Sequence, residues 1–251
     1  YMSQLYGKTS IYSSEIKKGI LQTLTVIALF QNETSLTNAI IGQVFADKIV
    51  RSTLSHDNPH LWCSLNSYLH LFAEASPSSF LDAVENKFKE ESNILDELFV
   101  ESKSLLFNSS NHTGMLWALE KLAFHPEYLA RASILLTDLT IIDPGVKIAN
   151  KPINSLKQIF IPEFPQTYAN SQQRLKVIEK ILLRNSNVGW DLIIGLMPST
   201  HGLSIFLTEE FRWRKVSSTK PIISNKDYFI QITNLVELAL RNCSNDVNKL
   251  S

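Results

Sequence analysis

Residues 211–214 of this 251-residue chain read Phe-Arg-Trp-Arg, and they are the side chains best suited to recognising a partner. Arg and Trp are the residue types most enriched at the energetic centres of protein interfaces, and Arg also pairs with phosphate groups. They lie in an aperiodic stretch, residues 199–224, and such stretches in compact domains are often functional. Contact residues are therefore predicted at His201, Phe211, Arg212, Trp213 and Arg214. The alternative, that Trp213 folds back to fill a gap between helices, stays open.

Side-chain patterns that support catalysis or metal binding are weak. His56 and His60 have the four-residue spacing of a metal pair, but Pro59 between them favours a helix start, which would take the two rings off a common face. Acidic pairs such as Asp82 and Glu85 lack a third group that would tune them for acid–base work. The eight glycines form neither of the common phosphate-binding loops. We therefore expect no enzyme activity in this segment, with no catalytic residue, no metal and no cofactor.

The composition is that of an ordinary globular protein without net charge. Hydrophobic residues make up 44% of the chain, and 24 basic side chains balance 24 acidic ones, so no overall field favours nucleic acid or a membrane. No apolar run is long enough to suggest a membrane span. Two distant cysteines and the lack of a signal peptide favour a cytoplasmic protein with reduced thiols. The first residue is Tyr1 and not Met, which suggests a piece of a longer protein.

Helical periodicity runs through most of the chain. Ser13, Pro59 and Pro77 each stand where a helix start is expected, because Ser caps helices and Pro is favoured in their first turn. The helix that starts at Pro59 is predicted to continue to Ala75, and the polar residues 108–112 are predicted to form a loop. Core positions at helical spacing are predicted for Trp62, Trp117 and Trp190. In the last helix, from about Lys226, the predicted buried residues are Phe229, Ile232, Val236 and Leu240.

Two blocks of the chain look like distant copies of each other. Residues 69–81 and 119–129 each read as a helix, an alanine, a break at proline and a second helix that opens with an aromatic–Leu pair. Helical pairs of this kind stack because neither helix can bury its apolar stripe alone. The predicted fold is therefore all-α, an α-solenoid-like stack of antiparallel helical pairs with degenerate repeats. Residues 1–107 are predicted to form N-terminal pairs and residues 113–251 C-terminal pairs with an irregular 199–224 loop, in one continuous array within a larger protein.

Several motifs resemble a recurring segment of very large bacterial proteins. They are Thr113-Gly-Met-Leu-Trp-Ala-Leu, Pro126-Glu-Tyr-Leu-Ala-Arg, Asp143-Pro-Gly, Asn150-Lys-Pro-Ile-Asn-Ser-Leu and Phe160-Ile-Pro. Over residues 60–214 the chain is similar to the helical C-terminal sensor region of antiviral STAND-type NTPases and related phage-defence proteins. The resemblance implies a sensor, an α-solenoid that recognises a phage protein and releases an effector elsewhere in the parent protein. NTPase and effector domains would belong to that parent and not to this segment.

The expected partner is consequently a protein, with a phage structural or packaging protein as the candidate, and an oligomeric parent is left open.

Two rival interpretations remain. One is a purely architectural segment whose surfaces are covered by neighbouring domains, which would leave large apolar patches exposed in isolation. The other is a nucleic-acid binder. Its basic side chains would be Lys147, Lys151, Lys157, Arg174, Lys176, Lys180 and Arg184.

Overall fold

The computed structural model describes residues 12–30, 41–90, 94–99, 101–103, 108–143, 150–198, 208–217 and 219–243. The α-helices are α1 (Ser14–Leu29), α2 (Ile41–Leu54), α3 (Pro59–Leu65), α4 (Leu69–Ala75), α5 (Pro77–Lys89), α6 (Ile94–Leu98), α7 (Thr113–Ala123), α8 (Pro126–Ile142), α9 (Pro152–Phe160), α10 (Ser171–Arg184), α11 (Ser186–Leu196) and α12 (Asn225–Cys243). A 3-10 turn, Asn66–Tyr68, joins α3 to α4. The predicted helical class is confirmed for the described part of the chain.

The helix starts follow the local chemistry of the sequence. The side chain of Ser13 accepts a hydrogen bond from the amide of Ile16 at the start of α1. Asn58 caps α3 in the same way, with Pro59 in the first turn, and Pro77 occupies the first turn of α5. These caps satisfy amide groups that have no partner inside the helix. The helix starts predicted at Ser13, Pro59 and Pro77 are thus confirmed.

The helices pack in consecutive layers. Helices α1 and α2 contact each other, as do α4 and α5, and α7 and α8. Helix α4 lies between α1 and α7, while α5 lies between α2 and α8. Helices α9, α10 and α11 continue from α8, and α12 packs on α10 and α11. One hydrophobic core runs through these layers, from Leu21 in α1 to Ala239 in α12.

Two arginines tie neighbouring layers together on one side of the molecule. Arg131 of α8 donates to Glu85 at 2.7 Å and to Asp82 at 2.6 Å, and both acceptors belong to α5. Arg184 of α10 makes a two-pronged contact with Asp138 of α8, at 2.8 and 3.0 Å. Partly exposed ion pairs of this kind contribute little to stability, about 1 kcal/mol or less each. Their geometry nevertheless fixes how α5, α8 and α10 are aligned.

Two predicted elements differ from the structure. The single helix expected up to Ala75 is interrupted at Asn66–Tyr68, where Asn66 Oδ1 accepts the amide of Gly114 at 2.8 Å. This interruption brings Asn66 against the start of α7, so a tertiary contact overrides the local preference for a continuous helix. Residues 108–110, expected in a loop, form strand β2 (Asn108–Ser110), which pairs antiparallel with β1 (Glu101–Lys103).

Two predictions of burial are wrong in part. Trp62 is fully buried, whereas Trp117 is 50% exposed and Trp190 is only partly buried. In α12 the buried side chains include Leu235 and Leu238, while Phe229, Val236 and Leu240 are exposed and Ile232 is partly buried. The helix therefore turns a different face to the core than expected. Its apolar residues occupy two faces, and periodicity alone cannot select between them.

Candidate recognition site

A non-helical segment between α11 and α12, residues 208–217, crosses the molecule; we call it the strap. At its start, the amide of Thr208 donates to Gln166 Oε1 at 2.9 Å, and its hydroxyl donates to Glu120 Oε2 at 2.8 Å. Ser155 of α9 donates to the other oxygen of the Glu120 carboxylate at 2.5 Å. Burial raises the pKa of Glu120, an effect that these two hydroxyl donors oppose. The contacts join the strap to α7 and to the segment after α9, and Glu120 connects it indirectly to α9 through Ser155.

The next strap residues are held through their backbone. Lys121 Nζ, on α7, donates to the carbonyl oxygens of Glu209 at 2.7 Å and Glu210 at 3.3 Å. Burial lowers the pKa of Lys121. The hydroxyl of Tyr168 donates to the Glu210 carboxylate at 3.1 Å. Because Lys121 binds main-chain carbonyl groups, it positions the strap independently of the side chains at residues 209 and 210.

Phe211 inserts into the core at the middle of the strap. Its side chain is 1% exposed, and its ring centroid lies 6.0 Å from that of His125, the residue before α8. His125 Nε2 lies 3.2 Å from the carbonyl oxygen of Arg214, a contact that requires the proton on Nε2. Burial lowers the pKa of His125, which keeps its ring neutral at pH 7.

Arg214 binds the C-terminal end of α4 and reaches α2. Its Nε donates to the carbonyl oxygen of Glu74 at 2.7 Å, and one terminal nitrogen donates to the carbonyl oxygen of Ala75 at 3.1 Å. The same nitrogen donates to Gln43 Oε1 at 3.0 Å. The last carbonyl groups of a helix have no partner within it and carry partial negative charge, so a guanidinium is a fitting cap. Arg214 therefore serves as a C-terminal cap supplied from about 140 residues away.

The Glu74 carboxylate accepts hydrogen bonds from the backbone of the strap. It is 2% exposed, and Oε1 accepts the amides of Trp213 at 2.5 Å and Arg214 at 3.1 Å. An anionic acceptor makes these bonds stronger than neutral ones. A buried carboxylate without partners would cost several kcal/mol, on the order of 3–5 when a partner is removed. Glu74 and the strap thus depend on each other.

Arg212 and Trp213 form the outward side of the strap. The guanidinium carbon of exposed Arg212 lies 4.7 Å from the Trp213 ring centroid, in a cation–π contact. Trp213 is half-buried and borders an open cleft of about 630 Å³ between the strap, the end of α1 and the start of α8. Phe30 and Pro126 contribute apolar surface to this cleft, and Lys215 contributes a cation.

The structure brings four of the five predicted contact residues together, and they divide into two pairs. Phe211 and Arg214 hold the strap against the helices, while Arg212 and Trp213 face outward. His201 lies outside the described residues. The inward partners were missed from sequence. No local signal marks them, because α4, which contains Glu74, also carries His70, and α7, which contains Glu120, also carries Lys121.

Other candidate chemistry finds little support in the geometry. His56 and His60 are both exposed, and no cluster of three or more potential metal ligands occurs within the described ranges. Of the basic side chains considered for nucleic acid, Arg174 is buried and Arg184 is paired with Asp138. Lys147 lies outside the described residues. Every described helix is too short or too polar to cross a bilayer.

Comparison with protein-family models, curated proteins and solved structures finds no match to this chain.

Proposed function

We propose that this chain is a non-catalytic protein-recognition module, the sensor segment of a bacterial antiphage defence protein. The observation that carries the proposal is the structure of the strap. Its inner side contacts α2, α4, α7 and the start of α8. Its outer side carries Arg212 stacked on the Trp213 ring. A rigidly held aromatic and a guanidinium lose little conformational freedom on binding, which is why such residues dominate interface energetics. The cleft beside Trp213 would receive the partner's complementary side chains.

The layered packing supports an α-solenoid as the scaffold. Each helical pair from α1/α2 to α7/α8 packs on the next, first helix on first helix and second on second. A Pro residue opens the second helix of two of these pairs, at Pro77 and Pro126, which are the breaks of the two sequence blocks. Arrays of this type present extended surfaces to partner proteins. Residues 1–107 and 113–251 would be two stretches of one such array.

The antiviral role rests on the resemblance of residues 60–214. It supplies the expected partner, a phage structural or packaging protein in the cytoplasm, and a parent protein whose NTPase and effector domains respond to binding. The chain itself supplies the contact surface, with Arg212 and Trp213 as the proposed contact residues and His201 as a further one. Phe211 and Arg214 contribute by holding that surface in place.

Binding of purified phage structural and packaging proteins to the chain tests the proposal. We expect one of them to bind, and Trp213→Ala and Arg212→Ala to weaken that binding at least tenfold, since hot-spot residues contribute about 2 kcal/mol or more. Trp117→Ala is the matched control, because Trp117 is 50% exposed on α7 and belongs to no proposed contact. Unchanged binding by both strap variants would discard the site, and no binding by any phage protein would discard the antiviral role.

A second candidate function, an architectural segment, is favoured by the two ends of the array. On α1, Ile16 and Ile20 are 51% and 64% exposed, and on α12, Phe229 and Leu240 are 67% and 63% exposed. Terminal repeats that lack polar caps associate through such faces. If they pack against neighbouring domains, Phe229→Ser together with Leu240→Ser should raise the solubility of the isolated chain without lowering its stability. Unaltered solubility would argue against this role.

A further inference from the structure

Arg174, in the first turns of α10, is a buried guanidinium that contacts neutral groups. Its side chain is 3% exposed. One terminal nitrogen donates to the carbonyl oxygen of Ala169 at 2.6 Å, and the other donates to Gln231 Oε1 of α12. Neither acceptor carries a charge. Among the ion pairs formed by the described residues, none includes Arg174.

This arrangement differs from that of Arg131 and Arg184, the arginines that tie neighbouring layers together. Arg131 and Arg184 are more exposed, and both are paired with carboxylates. A buried charge without a counter-ion is costly even after the protein relaxes around it. In agreement with this, burial lowers the pKa of Arg174 to about 10, and within the described part of the chain no neighbouring charge opposes the effect. An apolar residue would fill the same space at lower cost, so packing alone gives no reason for an arginine.

Arg174 lines a small cavity that opens to solvent between α9, α10 and α12. Its volume is about 20 Å³, enough for one or two water-sized groups. The walls are mainly apolar and include Phe160, Pro162, Leu175 and Leu235. Ser171, Gln231 and Asn234 add polar atoms, and Arg174 is the charged group. Mainly apolar walls with a few convergent polar groups are characteristic of ligand sites, where the polar groups orient the ligand.

We propose that this cavity binds a carboxylate whose α-carbon carries a small apolar side chain. The two oxygens of a carboxylate match the volume of the cavity, and the apolar group would lie at its mouth against Pro162 and Leu175. Arg174 uses two of its five N–H donors for Ala169 and Gln231, which leaves donors for the ligand. The C-terminal carboxylate of a peptide and a free short-chain acid both have this chemistry. The site is separate from the strap and does not depend on the proposed function.

The test uses matched pairs of ligands and two readouts on the full chain. N-acetylleucine represents a peptide C-terminus and 4-methylpentanoate a free acid; their carboxamides lack only the charge. Calorimetric titration should show saturable binding of at least one acid, and at least tenfold weaker binding of its amide. In ¹⁵N-resolved NMR spectra, the side-chain Nε–H signal of Arg174 should move with the same saturation curve. Preference for N-acetylleucine would assign the site to a peptide terminus, and preference for 4-methylpentanoate to a small acid.

Variants separate charge from shape. Arg174→Met should abolish the difference between acid and amide, and Arg174→Lys should retain a weaker preference for the acid. Lys180→Met is the control, since it removes the same charge from an exposed position on α10. If Arg174→Met does not fold, the response of the Arg174 Nε–H signal in the wild-type chain shows whether the acid binds at this site. Equal binding of acid and amide, an Arg174 signal that does not move, or no binding at millimolar concentrations of either acid would each overturn the proposal.

Discussion

Glu74 and Arg214 hold each other through two reciprocal hydrogen bonds. The carboxylate oxygen of Glu74 accepts the amide of Arg214 at 3.1 Å, and Arg214 Nε donates to the carbonyl oxygen of Glu74 at 2.7 Å. The two residues lie 140 positions apart in the sequence, and each one satisfies hydrogen-bonding groups of the other. Arg214 provides donors to a buried carboxylate, and Glu74 provides acceptors to a half-buried guanidinium whose pKa is lowered by burial. The strap therefore remains in place through polar contacts as much as through Phe211.

Removing the Glu74 carboxylate should release the strap. Glu74→Ala deletes the acceptor for the amides of Trp213 and Arg214, at a cost of about 2–3 kcal/mol. The strap contains Arg212, Arg214 and Lys215, so trypsin should cleave it at least tenfold faster in the variant when cleavage follows the open population. Glu74→Gln keeps one acceptor oxygen and should be intermediate. Glu237→Ala, on α12, is the exposed control, and equal cleavage of wild type and Glu74→Ala would contradict the contact.

Phe211 should contribute to stability as a core residue does. Its side chain is 1% exposed, so Phe211→Ala should lower the free energy of unfolding by about 3–5 kcal/mol in urea titrations. Phe229→Ala is the matched control, because Phe229 is 67% exposed and its loss should change stability by less than about 0.5 kcal/mol. Similar effects for the two variants would mean that the strap does not pack on the helices in solution.

Two glycines should respond to alanine in opposite directions. A Cβ on Gly114 would overlap the carbonyl oxygen of Asn66, which is backbone and cannot rotate away. Gly114→Ala should therefore destabilise the chain by at least about 2 kcal/mol. A Cβ on Gly19, inside α1, would meet no atom within 4 Å. Gly19→Ala should stabilise the chain by about 0.5–1 kcal/mol, because alanine favours helix. Thermal unfolding of both variants measures these two changes. A Gly114→Ala variant as stable as the wild type would rule out the close approach of α7 to Asn66.

Acid should destabilise the fold partly through His70. Burial, followed by the charges of Lys121 and Lys18, lowers the pKa of His70 from 6.5 to about 4. Between these values the unfolded chain binds a proton that the folded chain does not, so the contribution of His70 is complete above pH 6.5 and is lost as pH falls towards 4. The raised pKa of Glu120 acts in the opposite sense, since the folded state then takes up a proton first.

The measurement for His70 is the free energy of unfolding in urea at pH 5 and pH 7.5. His70→Gln should reduce the difference between the two pH values. His60→Gln, which changes an exposed ring on α3, should leave the difference as in the wild type. If both variants show the wild-type difference, His70 is not the group that responds to acid in this range.

Features that depend on nearby residues could be predicted from the sequence, and those that depend on distant ones could not. Ser13, Pro59 and Pro77 mark helix starts because a cap or a fixed backbone angle acts within one turn. The break at Asn66–Tyr68 arises from Gly114, 48 residues later, and no local pattern contains it. In α12 the residues at helical spacing were recognised, but the face that packs on α10 is chosen by tertiary contacts.

The candidate site shows the same division. Residue types identified Arg212 and Trp213 as suited to recognition, and the structure leaves Arg212 exposed beside the Trp213 ring. The support beneath them could not be foreseen, because Glu74 and Lys121 read as ordinary helix residues until the strap is placed over them. Arg174 was grouped with surface cations for the same reason, since charge is visible in a sequence and burial is not.

The Glu74–Arg214 bonds can form only late in translation. On the ribosome, α4 emerges long before residue 214, so the Glu74 carboxylate obtains its donors only when most of the polypeptide has been made. Contacts between residues so distant in sequence form slowly, because a long loop must close first. Nascent chains that stop short of the strap would leave the Glu74 carboxylate to water and the apolar surface around Phe211 uncovered, and exposed apolar surface favours chaperone binding until translation finishes.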